Sequence, residues 1–171
     1  MFKDISNFND TRDYLPILNA TLITDLFIIF LLYIGFFKTI FLKKWYIQFN
    51  IYAVLADVLI LLIGFILTRY FYYKIFKSYS IIKFILLFLG IQIIHDILFY
   101  LLFMNIPRGK NKAFDLFKDY AKEVGVGAII GDSFMVVMIV LLASFISKLS
   151  YNANIIILIV TCYFFPYLVY F

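Results

Sequence analysis

An all-α, polytopic transmembrane helical bundle of about five spans, with one interfacial amphipathic helix, is the fold class this sequence predicts. Three observations carry that expectation. Of 171 residues, 65% are hydrophobic, 22% aromatic and only 15% charged, with a mean hydropathy of +1.03. An ordinary soluble domain is about 45–50% apolar and about 25% charged. A soluble fold near this size buries only about 70% of its unfolded surface, too little to hide so much Phe, Tyr, Ile and Leu. Next, the apolar residues gather into five continuous stretches, each close to the roughly 20 residues that cross a bilayer. Finally, the stretches lack the alternation of barrel strands, and helices satisfy their backbone polar groups internally in lipid. A soluble enzyme, a nucleic-acid-binding domain and a disordered chain are excluded.

Residues 1–171 read as a single integral membrane domain with spans at about 18–42, 46–72, 81–104, 124–146 and 151–170. The first follows an acidic stretch (Asp4, Asp10, Asp13) without a basic n-region, so no signal cleavage is expected. Phe2 and the closing Val-Tyr-Phe match neither myristoylation nor prenylation. Lys43-Lys44, the Lys74–Ser78 link and the Lys148–Ser150 link are short and force antiparallel neighbours. Between the third and fourth spans Pro107 breaks the helix and Arg108-Gly109-Lys110 forms a basic turn. Ala113, Phe114, Phe117, Tyr120, Ala121 and Val124 then recur at helical spacing, opposite Lys112, Asp115, Lys118, Asp119 and Lys122. The pattern predicts an amphipathic helix over about 110–123, its apolar side towards acyl chains; the plainer reading is a re-entry helix that only joins two spans. Pro166 is expected to kink or end the last helix.

The net charge is +5. Its basic residues sit in short links, where they meet lipid headgroups rather than nucleic acid. Arg108, Lys110, Lys112, Lys118 and Lys122 form the densest group and are the expected contacts to anionic headgroups. The positive-inside rule leans towards a cytoplasmic C-terminus, which places the sequon Asn9-Asp10-Thr11 on the other face. Expected partners are the bilayer, further copies of the chain, or other membrane proteins. The single cysteine, Cys162, excludes an internal disulfide and a Cys-x-x-Cys pair, and no cofactor is expected.

Charged groups inside lipid carry most of the functional information, because each costs about 2.5–3.5 kcal/mol at a helix centre. They are Asp25, Asp57, Arg69, His95, Asp96 and Asp132, with Gln92 and Ser133 as neutral companions. At roughly 1.5 Å per residue, Asp57, Asp96 and Asp132 fall at similar depth on three spans. Gln92, His95 and Asp96 share one helical face. The spacing predicts an inner polar cluster of Asp57, Gln92, His95, Asp96, Asp132 and Ser133, and an Asp25–Arg69 ion pair nearer the opposite headgroups. Three readings of the cluster stay open. One is a hydrogen-bonded network that holds helices together. Another is an ion or proton pathway through Asp57, His95, Asp96 and Asp132. The last is a metal site on Asp57, His95, Asp96 and Asp132, or on His95, Asp96 and Asp132 alone, although no His-x-x-x-His or Asp-x-x-Asp spacing supports it. Gly127 and Gly131 form a small-xxx-small pair expected to admit a close neighbouring helix. No nucleophile–base pair is evident, so catalysis is not expected.

Ile94-His95-Asp96-Ile97-Leu98-Phe99-Tyr100, Ile106-Pro107-Arg108-Gly109, the stretch Asp115–Glu123 and the run ending Gly131-Asp132-Ser133 resemble small multi-span proteins of nucleocytoplasmic large DNA (giant) viruses. The preference for Lys over Arg, with abundant Phe, Ile, Tyr and Asn, suits an AT-rich genome. The resemblance implies a viral membrane setting, a virion inner membrane or host endomembrane, and carries no catalytic residue across. The expected role is structural or membrane-remodelling, in a virion or host membrane; the alternative is an ion or proton channel or transporter.

Overall fold

Apolar side chains offer the backbone no polar alternative, so in these runs each N–H and C=O pairs within its own segment. The computed structural model describes residues 2–170. They form α1 (Tyr14–Tyr33), α2 (Ile40–Phe49), α3 (Ile51–Ile75), α4 (Ile81–Asn105), α5 (Lys112–Val124), α6 (Gly127–Ile146) and α7 (Tyr151–Val169), with a 3-10 turn at Thr11–Asp13 and no strand among the described residues. Five are long and apolar enough to cross a membrane: α1 with its preceding turn, α3, α4, α6 and α7.

The first span differs from the expected 18–42. It begins earlier, with Pro16 in the first turn, where the missing N–H costs nothing. It ends at Tyr33, because Gly35 takes a left-handed φ of 77°. Gly35 N then donates to Leu32 O at 3.2 Å and Phe36 N to Leu31 O at 3.0 Å, the paired bonds of a Schellman stop. Ile34, Phe36 and Phe37 keep the hydropathy high past that stop, which is why composition overran it. The residues between become α2, a helix the apolar pattern did not separate from the spans on either side. Thr39 caps it by accepting from Leu42 N at 3.3 Å, and Asn50, with φ 49°, breaks the chain between α2 and α3.

α1 is the most enclosed span. α6 and α7 pack on it, α3 on another side, and α4 bridges α3 to α6 as the outermost helix. One apolar core gathers Ile17, Phe65, Phe84, Phe88, Ile139 and Val140. A second lies under α2 and gathers Leu22, Ile29, Trp45, Val58, Phe165 and Val169. Ile82, Leu86, Ile94 and Leu98 of α4 and Ile156 and Ile159 of α7 face outward, an apolar girdle that suits lipid and not water.

α2 and α5 pack on each other at the end where α1, α4 and α7 finish and α3 and α6 begin. α5 is amphipathic as expected, started by Asn111, whose Oδ1 accepts from Ala113 N and Phe114 N. Its apolar face turns to protein rather than acyl chains: Phe117 lies 4.7 Å from the Trp45 ring and 5.3 Å from Phe99. The unforeseen α2 supplies that covering surface. Residues 2–10 close the opposite end. Ile5 and Ser6 are buried there, Lys3 Nζ meets Asp13 Oδ1 at 2.5 Å, and Ser144 Oγ donates to Lys3 O at 2.9 Å.

Gly127 and Gly131 do not pack against a helix. Both are exposed; a Cβ on Gly131 would meet nothing within 4 Å, and one on Gly127 only Val124 of the preceding turn. The face α6 buries begins later, at Met135, Val136 and Ile139. The close approach is made instead by Gly64 of α3, over whose missing side chain Phe88 of α4 lies. Pro166 does not end α7, which runs on to Val169.

Candidate functional site

The helix boundaries decide which acids share a level. Asp25 lies eight residues before the end of α1 and Asp57 six after the start of α3, hence roughly 12 and 9 Å from the α2/α5 end. Asp96 is nine residues from the end of α4 and Asp132 five from the start of α6, roughly 14 and 8 Å from it. Asp25 therefore joins the inner layer, and Arg69, six residues from the far end of α3, does not.

The expected Asp25–Arg69 pair is absent. Arg69 is buried against the N-terminal segment. Its Nη2 donates to Asn7 O and to Asp10 O, the latter at 2.8 Å. The same nitrogen lies 3.7 Å from Asp13 Oδ2, and the guanidinium sits 4.6 Å over the Tyr14 ring. Starting α1 earlier moved Asp25 away from this end and brought Asp13 to it.

Asp25, fully buried, turns instead to α2. Tyr46 Oη stands 3.0 Å from Asp25 Oδ1 and 2.9 Å from Asp57 Oδ2. Trp45 Nε1 donates to the same Asp57 oxygen at 3.0 Å. On α4, Gln92 Nε2 donates to Asp96 Oδ1 at 2.8 Å and His95 Nδ1 lies 3.2 Å from that oxygen. The imidazole stacks on Phe99, whose ring meets Phe117 of α5. Asp132 and Ser133 are half-buried. Tyr120 of α5 lies among these groups: burial pushes its phenol pKa up, and the negative charges of Asp132, Asp57, Glu123 and Asp96 push it further. Four carboxylates from four helices thus occupy one layer. No Lys or Arg forms an ion pair with any of the four among the described residues.

Among the described residues no three of His, Cys, Asp and Glu are arranged to hold a metal ion, which sets aside the ligand sets His95, Asp96, Asp132 and Asp57, His95, Asp96, Asp132. The headgroup group is also smaller than expected. Lys110, Lys112 and Lys122 are exposed. Arg108 is exposed too, but its guanidinium pairs with Asp119 at 2.5 Å, a hydrogen bond that raises the arginine's pKa and lowers the acid's. Lys118 is not a headgroup contact. It is buried and donates to Ile106 O just past the end of α4, where a cation suits the helix dipole.

Sequence reasoning missed the residues that fasten α2. Trp45 and Tyr46 stand at the edge of the expected second span, yet both point inward to Asp57. Glu123 closes the other end of that helix: its carboxylate accepts from Thr39 Oγ1 at 2.6 Å, Ile40 N at 2.8 Å and Phe41 N at 3.1 Å. Desolvation opposes its charge, but these three donors win and lower its pKa. Asn19 and Asn154 join α1 to α7, Asn19 Nδ2 donating to Asn154 O at 2.8 Å. The one local signal for α2 was Thr39 ahead of Ile40, an N-cap pattern.

A surface cavity lies elsewhere. It is an apolar groove of about 400 Å³ between α1 and α7, lined by residues such as Phe27, Phe30 and Phe164. Compared with protein-family models, with curated proteins and with solved structures, the chain matches none.

Proposed function

We propose that this multi-span helical chain is a structural membrane component whose acidic layer fastens a two-helix cap, α2 with α5, onto the membrane bundle; a viral membrane is its proposed setting. One observation carries the reading. Trp45 and Tyr46 of a helix too short to span reach inward to carboxylates on α1 and α3. Groups so placed hold elements together, since a buried polar network loses stability when any member is left unpaired. The alternative, a conduction path, gains no support from the far half of the bundle. There the fully buried rings of Phe65, Phe84 and Phe88 fill the core and residues 2–10 close the end.

Liposomes bearing the purified chain test this. The structural reading expects no proton or cation flux, and it expects Asp57→Ala or Tyr46→Phe to lower thermal stability and raise protease access to α2. Flux that Asp96→Asn or Asp132→Asn abolishes, with the helical signal and melting intact, would overturn it.

A further inference from the structure

We infer that Asp25, Tyr46 and Asp57 form a proton-holding relay, with one carboxyl proton stored on the buried Asp25 and passed through the Tyr46 hydroxyl to Asp57. Tyr46 Oη lies within hydrogen-bond distance of one oxygen on each carboxyl, yet a phenol owns a single proton. It donates to one carboxyl and accepts from the other, so the other is an acid. Asp57 Oδ2 already accepts from Trp45 Nε1, and an indole N–H only donates. That oxygen is the acceptor, and Asp57 is the carboxylate. Asp25 is the acid, its Oδ1 donating to Tyr46 Oη.

Burial agrees independently. Asp25 has no solvent exposure, and its Oδ2 has no partner. An ionised carboxylate left so would be far more costly than the carbonyl oxygen of a neutral acid. Tyr46 stays a phenol, since burial and then the two carboxylates push its pKa up.

Every helix of the bundle places side chains around the relay. α1 brings Asp25, α2 Tyr46 and Trp45, and α3 Asp57. α4 adds Asp96 and His95, α5 Tyr120, and α6 Asp132, while α7 presents Phe165 and Val169. The imidazole of His95 is partly open, at 34% side-chain exposure. In the transfer the Asp25 Oδ1–H bond breaks as its proton binds Tyr46 Oη. The Tyr46 Oη–H bond breaks as that proton binds Asp57 Oδ2. One proton moves, no electron does, and the phenol is regenerated. The relay ends at Asp25, so it stores a proton rather than conducting one across the bundle.

The full chain in detergent or lipid discs gives two readouts. Near neutral pH, infrared spectra are expected to show a protonated-carboxyl C=O band that Asp25→Asn removes and Asp132→Asn does not. Tyr46→Phe is expected to shift that band upward, because the acid loses its acceptor. Trp45 is the sole tryptophan, so its fluorescence follows the charge on Asp57. A fluorescence transition on acidification is expected, abolished by Asp57→Asn. Its midpoint is expected to hold in Asp25→Asn, whose amide N–H replaces the acid's O–H. In Tyr46→Phe it is expected to rise by about one pH unit, the scale of one lost charge-assisted hydrogen bond. A band indifferent to Asp25→Asn, or a midpoint that falls in Asp25→Asn as it would on removing a negative charge, overturns the relay. Should Asp25→Asn not fold, Tyr46→Phe decides alone: an unmoved band and midpoint reject it.

Discussion

Replacing Gly64 with alanine builds a carbon 2.7 Å from Phe88 Cε2, with two further ring carbons at 3.6 Å. Carbon atoms rest about 3.5–4.0 Å apart, so the ring must retreat by about 1 Å. It has little room to do so. Phe88 is fully buried and meets Phe65 edge-on at 5.4 Å, and Phe65 meets Phe84 at 5.1 Å. Overpacking of this kind costs about 1–3 kcal/mol, while alanine recovers about 0.8–1 kcal/mol of helix propensity. The net expectation is a loss of about 1 kcal/mol for Gly64→Ala, growing for Gly64→Leu. Gly131→Ala meets nothing and keeps only the propensity gain. The two alanines should then differ by about 2 kcal/mol, measured by thermal or denaturant unfolding in one detergent. Phe88→Leu shortens the obstructing ring and should relieve most of the Gly64→Ala penalty. Equal stabilities for Gly64→Ala and Gly131→Ala, or no relief from Phe88→Leu, would refute the assignment of the close contact to α3 and α4.

Glu123→Ala should speed hydrogen exchange at the Ile40 and Phe41 amides. The wild type should show the same loosening in acid, because a carboxylate with a lowered folded pKa stabilises above its unfolded pKa and stops doing so as pH falls through the folded value; amide exchange across an acid series reads both. Arg69→Met removes the donor to the carbonyls of Asn7 and Asp10 while Asp13 keeps Lys3. A loss of about 3 kcal/mol is expected, the low end for breaking a buried ion pair, with residues 2–10 newly open to protease; an uncut N-terminal segment would contradict it. A double-mutant cycle on Asp25 and Arg69 should return a coupling below about 0.5 kcal/mol, as for distant sites, and a coupling well above that would reinstate their pairing.

What could be read without coordinates follows from properties each residue carries alone. Continuous apolar runs must form helices in lipid, so five long helices and the amphipathic α5 were legible, and so was the cost of every intramembrane charge. Asp57, Asp96 and Asp132 could be set at similar depth, since rise per residue needs no neighbour. Tyr46 and Glu123 could not be found this way. Their roles rest on partners 11 to 84 residues distant, and nothing local distinguishes Tyr46 from the other tyrosines at span edges. Hydropathy also cannot see a helix stop made by one left-handed glycine, and that stop at Gly35, together with the earlier start of α1, is what moves Asp25 into the inner layer.

By itself, then, the amino-acid order determined the solvent of this chain, its all-helical class and the price of its buried acids, because transfer free energies and helical rise are properties of short segments. Tertiary structure alone decided which groups meet. It turned α2 inward, moved Asp25 from Arg69 to Tyr46, and made Gly64 rather than Gly131 the point of close approach. The physical reason is that hydrogen bonds and van der Waals contacts act over a few ångströms, between residues whose separation only the packing of helices sets.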